Sequence, residues 1–258
     1  MNLNIKNQSF LVCGAASGFG RAIAEELIQE GARVIVTARR ENELKKIADL
    51  APDRVKICVA DLYRETDQER LLNSIDLYSL SGVVVNAGGP PAKSFLETQL
   101  EDWDNAYESL LKWKVRLVKR ILPALISNKY GRIVFIESKS VKQPVENLVL
   151  SNSLRLAVVG FVKTLSQEVA HHGITMNIMA PGYHDTPAMQ RIFEKKAKIM
   201  NISLEEARKS IETEIATGKM GDAYDFAKMA LLLLSPSSNF INGQTISVEG
   251  GLIKGIFG

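Results

Sequence analysis

The sequence predicts an α/β fold: a doubly wound parallel sheet with helices on both faces. Two observations carry the prediction. Short apolar runs alternate with helical patterns along the chain without a composition break, as successive strand–helix–strand units require. The first run, Phe10-Leu11-Val12, leads directly into a glycine-rich turn, Cys13-Gly14-Ala15-Ala16-Ser17-Gly18-Phe19-Gly20. The length of 258 residues and an apolar content of 46% allow a sizeable core, and folds of this class often reach this length as one domain. Residues 1–258 are therefore expected to form a single domain.

Seven strand-like runs support a seven-stranded sheet: Phe10–Val12, Arg33–Thr37, Val55–Val59, Gly82–Val85, Arg132–Ile136, Thr175–Met179 and Thr245–Val248. Helical patterns lie between them. The first opens at the glycine turn with Ile23, Leu27 and Ile28 on one face. In a later one, Leu154, Val158, Phe161, Leu165 and Val169 recur at helical spacing as one apolar stripe. Right-handed crossovers would gather the strand-end loops of the first half around the glycine turn. The charged stretch from Gln190 to Gly218 is helical in composition and interrupts the alternation. It reads either as a solvated helix pair or as a substrate lid covering residues 187–218.

Composition excludes several classes. A net charge of +3 is too weak a bias to argue for nucleic acid or a membrane surface. No apolar run approaches membrane-spanning length, and Met1–Lys6 has no signal-peptide character. His171, His172 and His184 with two cysteines give no metal-ligand spacing. Cys13 and Cys58 sit in apolar strand-like runs and are expected to be reduced core thiols of a cytoplasmic protein.

The glycine turn carries the first functional expectation. A strand entering a helix through such a turn brings backbone N–H groups against a phosphate. Side chains at Gly14, Gly18 or Gly20 would hold a pyrophosphate away. The expected ligand is a dinucleotide. Sites preferring NAD place an acid about 20 residues beyond the glycines, against the ribose 2′-hydroxyl. Here the second strand ends Thr37-Ala38-Arg39-Arg40, without an acid. A guanidinium suits a 2′-phosphate, which favours NADP(H) over NAD(H). The alternative is that these arginines only solvate the start of the next helix.

Together these motifs resemble the short-chain dehydrogenase/reductase family along essentially the whole chain. The glycine spacing is similar to that family's Thr-Gly-x-x-x-Gly-x-Gly motif, with Cys13 in place of the threonine. Asp61-Leu62 resembles its adenine-contacting pair, and Asn86-Ala87-Gly88 its Asn-Ala-Gly turn. Pro181-Gly182 with Thr186 resembles the segment along the nicotinamide. Ile241-Asn242-Gly243-Gln244 and Val248-Glu249-Gly250-Gly251 resemble its closing strand. The details are most similar to divergent 3-oxoacyl-carrier-protein reductase-like members. The resemblance implies a Rossmann-type fold and a carbonyl substrate, small or acyl-carried. It also implies a cofactor site at Gly14, Ala16, Ser17, Gly18, Phe19, Gly20, Arg39, Arg40, Asp61, Leu62, Asn86, Ala87, Gly88, Arg155, Pro181, Gly182 and Thr186, with Arg39 at the position that favours NADPH. Kinship further implies a homotetramer or homodimer packed through Leu100–Lys129 and Leu150–His171. Trp103, Trp113 and Phe161 are then either anchors of such contacts or ordinary core.

The resemblance breaks at the chemistry. The family reduces carbonyls with a Tyr-x-x-x-Lys pair, an upstream serine and an asparagine. An ungapped register puts Ser138 on the serine, Ser151 on the tyrosine and Arg155 on the lysine, and counting back from Pro123 puts Leu110 on the asparagine. Serine is a weaker and shorter acid than tyrosine, and arginine exchanges no proton. Losing a positioned general acid typically costs about 10²–10⁴-fold in rate, or roughly 3–5 kcal/mol. Ser138 remains able to donate a hydrogen bond to a carbonyl, or simply caps the strand end. Tyr183 and His184, after Pro181-Gly182, are candidate substitute acids; Lys139 and Lys142 flank Ser138 and are weaker ones. Arg155 also suggests a substrate carboxylate or phosphate. Two functions are therefore expected: an NADP(H)-dependent oxidoreductase with a non-standard site at Ser138, Ser151, Arg155 and Tyr183, or a catalytically silent dinucleotide-binding sensor or partner subunit.

Overall fold

Every predicted strand forms in the computed structural model, which describes residues 2–256. The strands are β1 (Ser9–Cys13), β2 (Arg33–Ala38), β3 (Val55–Val59), β4 (Leu80–Asn86), β5 (Gly131–Ile136), β6 (Ile174–Pro181) and β7 (Thr245–Val248). They pair in parallel in the order β3-β2-β1-β4-β5-β6-β7. The order reverses between β1 and β4, the place where open α/β sheets form their ligand crevice.

The helices are α1 (Gly18–Gln29), α2 (Glu41–Ala48), α3 (Glu65–Asn73), α4 (Leu100–Tyr107), α5 (Trp113–Asn128), α6 (Val149–Val169), α7 (Pro187–Met200), α8 (Leu204–Glu212) and α9 (Ala223–Leu234). Successive strand residues face opposite sides, and the core divides accordingly. Phe10, Val12, Val34 and Val36 pack with Leu27 of α1, Leu44 of α2 and Phe226 of α9. Leu11, Val83, Val85, Ile133 and Phe135 pack with Leu71 of α3, Trp113 and Ile121 of α5 and Val158 of α6. Strands β5 and β6 are buried at every residue, hence their nearly continuous apolar sequences.

Two expectations need correction, and one open alternative, that of Trp113, is resolved. Cys13 is fully buried, but Cys58 lies on the edge strand β3, half-buried, with its sulfur 3.6 Å from Ser74 Oγ. Trp113 has no exposed surface and belongs to the protein's own core, so it cannot anchor a subunit contact. The helix expected over Leu100–Lys129 is interrupted by one π-helical turn, Glu108–Lys112, between α4 and α5. The charged stretch does form a helix pair: Met189 and Phe193 of α7 and Ile211 of α8 make a separate small cluster with Ile215, Met220 and Leu252. Among the described residues, no helix is long and apolar enough to cross a membrane.

Candidate active site

The glycine turn folds as the sequence suggests, for a partly different physical reason. Gly14 and Gly18 adopt left-handed backbones, with φ of 66° and 55°. A Cβ on Gly14 would lie 2.9 Å from Asn86 Nδ2, and one on Gly18 would touch Thr186 at 3.7 Å. The turn is therefore locked against β4 and against the segment after β6. Gly14 and Gly20 are bare because neighbouring chain fills the space, whether or not a phosphate is present. Ser17 caps α1 without a side-chain hydrogen bond, and the first turn of α1 holds no acid. The helix therefore presents unsatisfied N–H groups and the positive end of its dipole. That arrangement fits a pyrophosphate. Phe19 turns its ring inward, against Phe226 at 4.2 Å between centroids.

The other predicted cofactor residues gather at the same sheet edge. Arg39 and Arg40 are exposed at the tip of β2. Arg40 Nη2 donates to the Ala16 carbonyl across 3.3 Å, which ties that tip to the glycine turn. Asp61 accepts from the Tyr63 amide at 3.2 Å, and Leu62 is buried beneath it. Asn86 ends β4, paired with Ile136. A Cβ at Gly88 would meet nothing within 4 Å, so the backbone is open there. At the neighbouring Gly89 a Cβ would lie 3.4 Å from Arg155 Nη2, so the guanidinium borders this opening. Pro181 ends β6, and Gly182 is held against Glu249, where a Cβ would clash at 2.6 Å.

Behind Arg155 lies a group of charges that the sequence reading missed. Arg155 Nε donates to Ser151 Oγ at 3.1 Å, one helical turn earlier in α6, and Arg155 Nη1 donates to Glu137 Oε2 at 2.8 Å. The other carboxylate oxygen, Glu137 Oε1, accepts from the Lys114 ammonium. The side chains of Glu137, Lys114 and Arg155 are 0%, 1% and 7% exposed. Burial pushes the Lys114 ammonium below the ordinary lysine range; Arg155 acts in the same direction and Glu137 opposes it. With Nε and Nη1 engaged internally, Arg155 has little of its fork left for the bidentate carboxylate or phosphate contact its type suggests. Leu110 is buried in the π-turn and offers no polar group. One signal for Lys114 existed: it shares a helical stripe with Leu117, Val118, Ile121 and Leu125. Glu137 extends a run of buried strand residues.

Ser138 follows Glu137 and accepts from the Ser140 amide at 3.2 Å, so it caps the 3₁₀ turn Lys139–Val141 that follows β5 rather than the strand itself. That bond leaves its hydroxyl proton unassigned. Tyr183 packs against the α7–α8 cluster, with the Lys139 ammonium 4.3 Å from its ring centroid. Burial, then the charge of Glu214, raises the phenol above its usual range. Burial likewise lowers the Lys139 ammonium. His184 turns away from this region. It packs edge-to-face on Phe19 and Phe226 at 5.0 and 5.3 Å, with Nδ1 3.3 Å from the Gly182 carbonyl oxygen. Its place is the core behind the glycine turn, which removes it as a proton donor to a ligand in front.

Comparison with known proteins matches the chain over residues 14–253 to the family model described as enoyl-(acyl carrier protein) reductase. The chain belongs to the short-chain dehydrogenase/reductase family. Within it, the Escherichia coli 3-oxoacyl-[acyl-carrier-protein] reductase FabG is 30% identical, over 97% of this chain and 99% of that protein. A putative ketoacyl reductase of Streptomyces coelicolor is 33% identical, over 94% and 95% of the two chains. An actinorhodin polyketide ketoreductase solved with NADPH superposes at a TM-score of 0.89 and 31% identity, covering 95% of this chain and 97% of that one. The L-sorbose reductase of Gluconobacter frateurii, solved with NADPH and L-sorbose, shares the fold at a TM-score of 0.92 and 24% identity, covering 99% and 100%. The short-chain dehydrogenase/reductase family is one of oxidoreductases on this Rossmann-type sheet.

Proposed function

We propose that this chain is an NADP(H)-dependent oxidoreductase interconverting a carbonyl and an alcohol on a small or acyl-carried substrate. The observation that carries the reading is the β1–α1 turn: an uncapped helix N-terminus beside two exposed arginines, with no acid at the end of β2. Gly14, Ala16, Ser17, Gly18, Phe19 and Gly20 would hold the pyrophosphate through their backbone. Arg39 and Arg40 would pair the 2′-phosphate, and Asp61 and Leu62 would border the adenine. Asn86, Ala87, Gly88 and Arg155 would line the nicotinamide ribose, with Pro181, Gly182 and Thr186 along the nicotinamide. The relatives named as ketoacyl reductases and the NADPH-bound ketoreductase support this reading.

When bound, the nicotinamide would supply the hydride to the carbonyl carbon, and the substrate oxygen would take its proton from Tyr183 or from water. Ser138 donates a hydrogen bond to the substrate oxygen, and Arg155 adds positive charge nearby. The tyrosine, lysine and asparagine positions of the family fall on Ser151, Arg155 and Leu110, so the site is non-standard. Tyr183 stays protonated at neutral pH and is the remaining phenol near the nicotinamide segment. Residues 187–218, with α7 and α8, act as the substrate lid of a single domain, and the chain assembles as a homodimer or homotetramer. The second reading, a silent dinucleotide-binding protein, is favoured by one observation: Arg155 is tied to Glu137 instead of standing free beside an acid.

Calorimetric titration with NADPH and NADH tests the first step. NADPH is expected to bind at least about tenfold tighter, a difference of about 1.4 kcal/mol. Arg39→Ala should remove most of that preference and leave NADH binding nearly unchanged. Failure of both nucleotides to bind would refute the reading. Binding without NADPH oxidation across a carbonyl panel would favour the silent protein, whereas turnover abolished by Ser138→Ala would establish the oxidoreductase.

A further inference from the structure

We propose that Lys139 seats a carboxylate of the substrate, so that the carbonyl this chain reduces belongs to an oxo acid. The proposal rests on the oxidoreductase reading and narrows its substrate class. Lys139 opens the 3₁₀ turn that Ser138 caps, and so stands next to the hydroxyl proposed to meet the substrate oxygen. Its ammonium lies 4.3 Å from the centroid of the Tyr183 ring, just beyond the end of β6. β5 and β6 are neighbours in the sheet. The ammonium therefore sits over their carboxyl ends, where open α/β sheets take their ligands. Tyr183 in turn packs against the cluster of Met189 and Phe193 from α7 and Ile211 from α8. That places the ammonium at the seam between the strand ends and the α7–α8 pair.

The chain gives this half-buried cation no counter-charge of its own. Among the described residues it has no carboxylate partner, and its contact is the face of Tyr183. The two acids whose charges reach it, Glu214 and Glu249, are held elsewhere. Glu214 Oε1 pairs with Lys196 Nζ at 3.2 Å, and Glu249 Oε2 accepts from the Ile253 amide at 2.7 Å. The adjoining group of Lys114, Glu137 and Arg155 offers no compensation, because it carries one more positive charge than negative. Burial disfavours an ammonium without a partner, and it does lower that of Lys139. A ring face recovers part of this loss and leaves the ammonium's N–H donors without an acceptor. An unpaired cation on an aromatic wall, beside the Ser138 hydroxyl, is a seat for an anion. One ammonium matches the single charge of a carboxylate, with which it forms a charge-assisted hydrogen bond. A phosphate monoester carries nearly two charges and would meet Glu214 and Glu249 nearby. An acyl thioester brings no charge to this point. The observations therefore favour a small oxo acid, its carbonyl at Ser138 and its carboxylate at Lys139.

The test measures NADPH oxidation with α-, β- and γ-oxo acids, each beside its methyl ester, in native protein, Lys139→Met and Lys139→Arg. Native protein should use the acid of at least one pair with kcat/KM about tenfold or more above that of its ester, the least that a hydrogen bond to a charged group is worth. Lys139→Met should raise KM for that acid by about 10- to 100-fold, with the ester and NADPH affinity within about threefold of native. Lys139→Arg should recover most of the loss, because it keeps the charge. The ester also separates this role from a structural one: if Lys139 only held the Tyr183 ring in place, its loss would slow acid and ester alike. The acid-to-ester ratio of native protein needs no variant, so the proposal can fail without relying on how Lys139→Met folds. Esters or acyl thioesters used as well as the acids, or equal losses for acid and ester in Lys139→Met, would overturn the proposal and leave the oxidoreductase reading intact. Absence of turnover of any carbonyl in the native chain with NADPH bound would overturn both.

Discussion

A Cβ on Gly20 would lie 2.4 Å from the carbonyl oxygen of Gly14, and one on Gly14 would lie 2.8 Å from the carbonyl oxygen of Asn86. These glycines let the first turn of α1 close onto the end of β1, and the end of β1 onto β4. The turn's phosphate-accepting shape is thus a product of internal packing. Gly20→Ala should destabilise the fold by about 1–3 kcal/mol, the usual range for overpacking a tight site. It should also weaken NADPH binding, because the N–H groups of the turn would be displaced. Urea denaturation and calorimetry on the same preparation check this. An unchanged denaturation midpoint would show that the contact relaxes freely.

The two thiols should differ sharply in reactivity. Burial, opposed only by a hydrogen bond from the Asn86 amide, pushes Cys13 up to about 12. The thiolate is the reactive species, so Cys13 should resist alkylation at pH 8 while the chain is folded. Cys58 is half-buried on an edge strand and should react. Mass spectrometry after iodoacetamide should find modification at Cys58 in native protein and at both thiols in urea. Native-state labelling of Cys13 would mean that the β1 end opens readily.

The sheet was readable from sequence because its central strands are buried on both faces, which leaves near-continuous apolar runs such as Ile133–Ile136 and Ile174–Met179. Most of the proposed cofactor positions stand out in the sequence because they follow strand ends marked by glycine or proline, whereas Arg155 lies within α6. Glu137 and Lys114 do not stand out, since they lie 23 residues apart in sequence and a single charge in an apolar run reads as a surface residue. Only the packing of α5 across β5 brings them together. His184 was misplaced for a related reason. Its neighbours Pro181 and Gly182 suggest the nicotinamide, but Phe19 and Phe226, which claim its ring, come from opposite ends of the chain. The π-turn at Glu108–Lys112 has no periodicity of its own that would separate it from the helices it joins.

His184 should make stability sensitive to acid. Desolvation holds its imidazole below the ordinary value of 6.5, outweighing the Gly182 carbonyl and Asp222, which act the other way. The folded state therefore binds a proton less readily than the unfolded chain does. Stability from this group is present in full above about pH 6.5 and declines as pH falls through that value toward the lower folded pKa. Melting temperatures at pH 7.5 and pH 5.5 should fall more in native protein than in His184→Asn, which does not titrate there. Equal falls in the two proteins would assign the acid sensitivity to other groups.

Breaking the buried charge network should matter more than removing it. Glu137→Gln deletes the carboxylate between two buried cations and leaves both without a counter-charge. Loss of one partner from a buried pair typically costs about 3–5 kcal/mol, whereas replacing the pair by apolar groups of similar size is often neutral or stabilising. Lys114 is already pushed toward its neutral form by burial, so without Glu137 it should lose its proton more readily still, which would soften the penalty without abolishing it. Lys114→Met/Glu137→Gln returns the site to one buried cation, Arg155, still bonded to Ser151. Denaturation should therefore place the double variant between native protein and Glu137→Gln, because it leaves one buried cation, Arg155, without its counter-charge where Glu137→Gln leaves two. A double variant as unstable as Glu137→Gln would mean that the Lys114 and Glu137 side chains stabilise the fold through shape rather than charge.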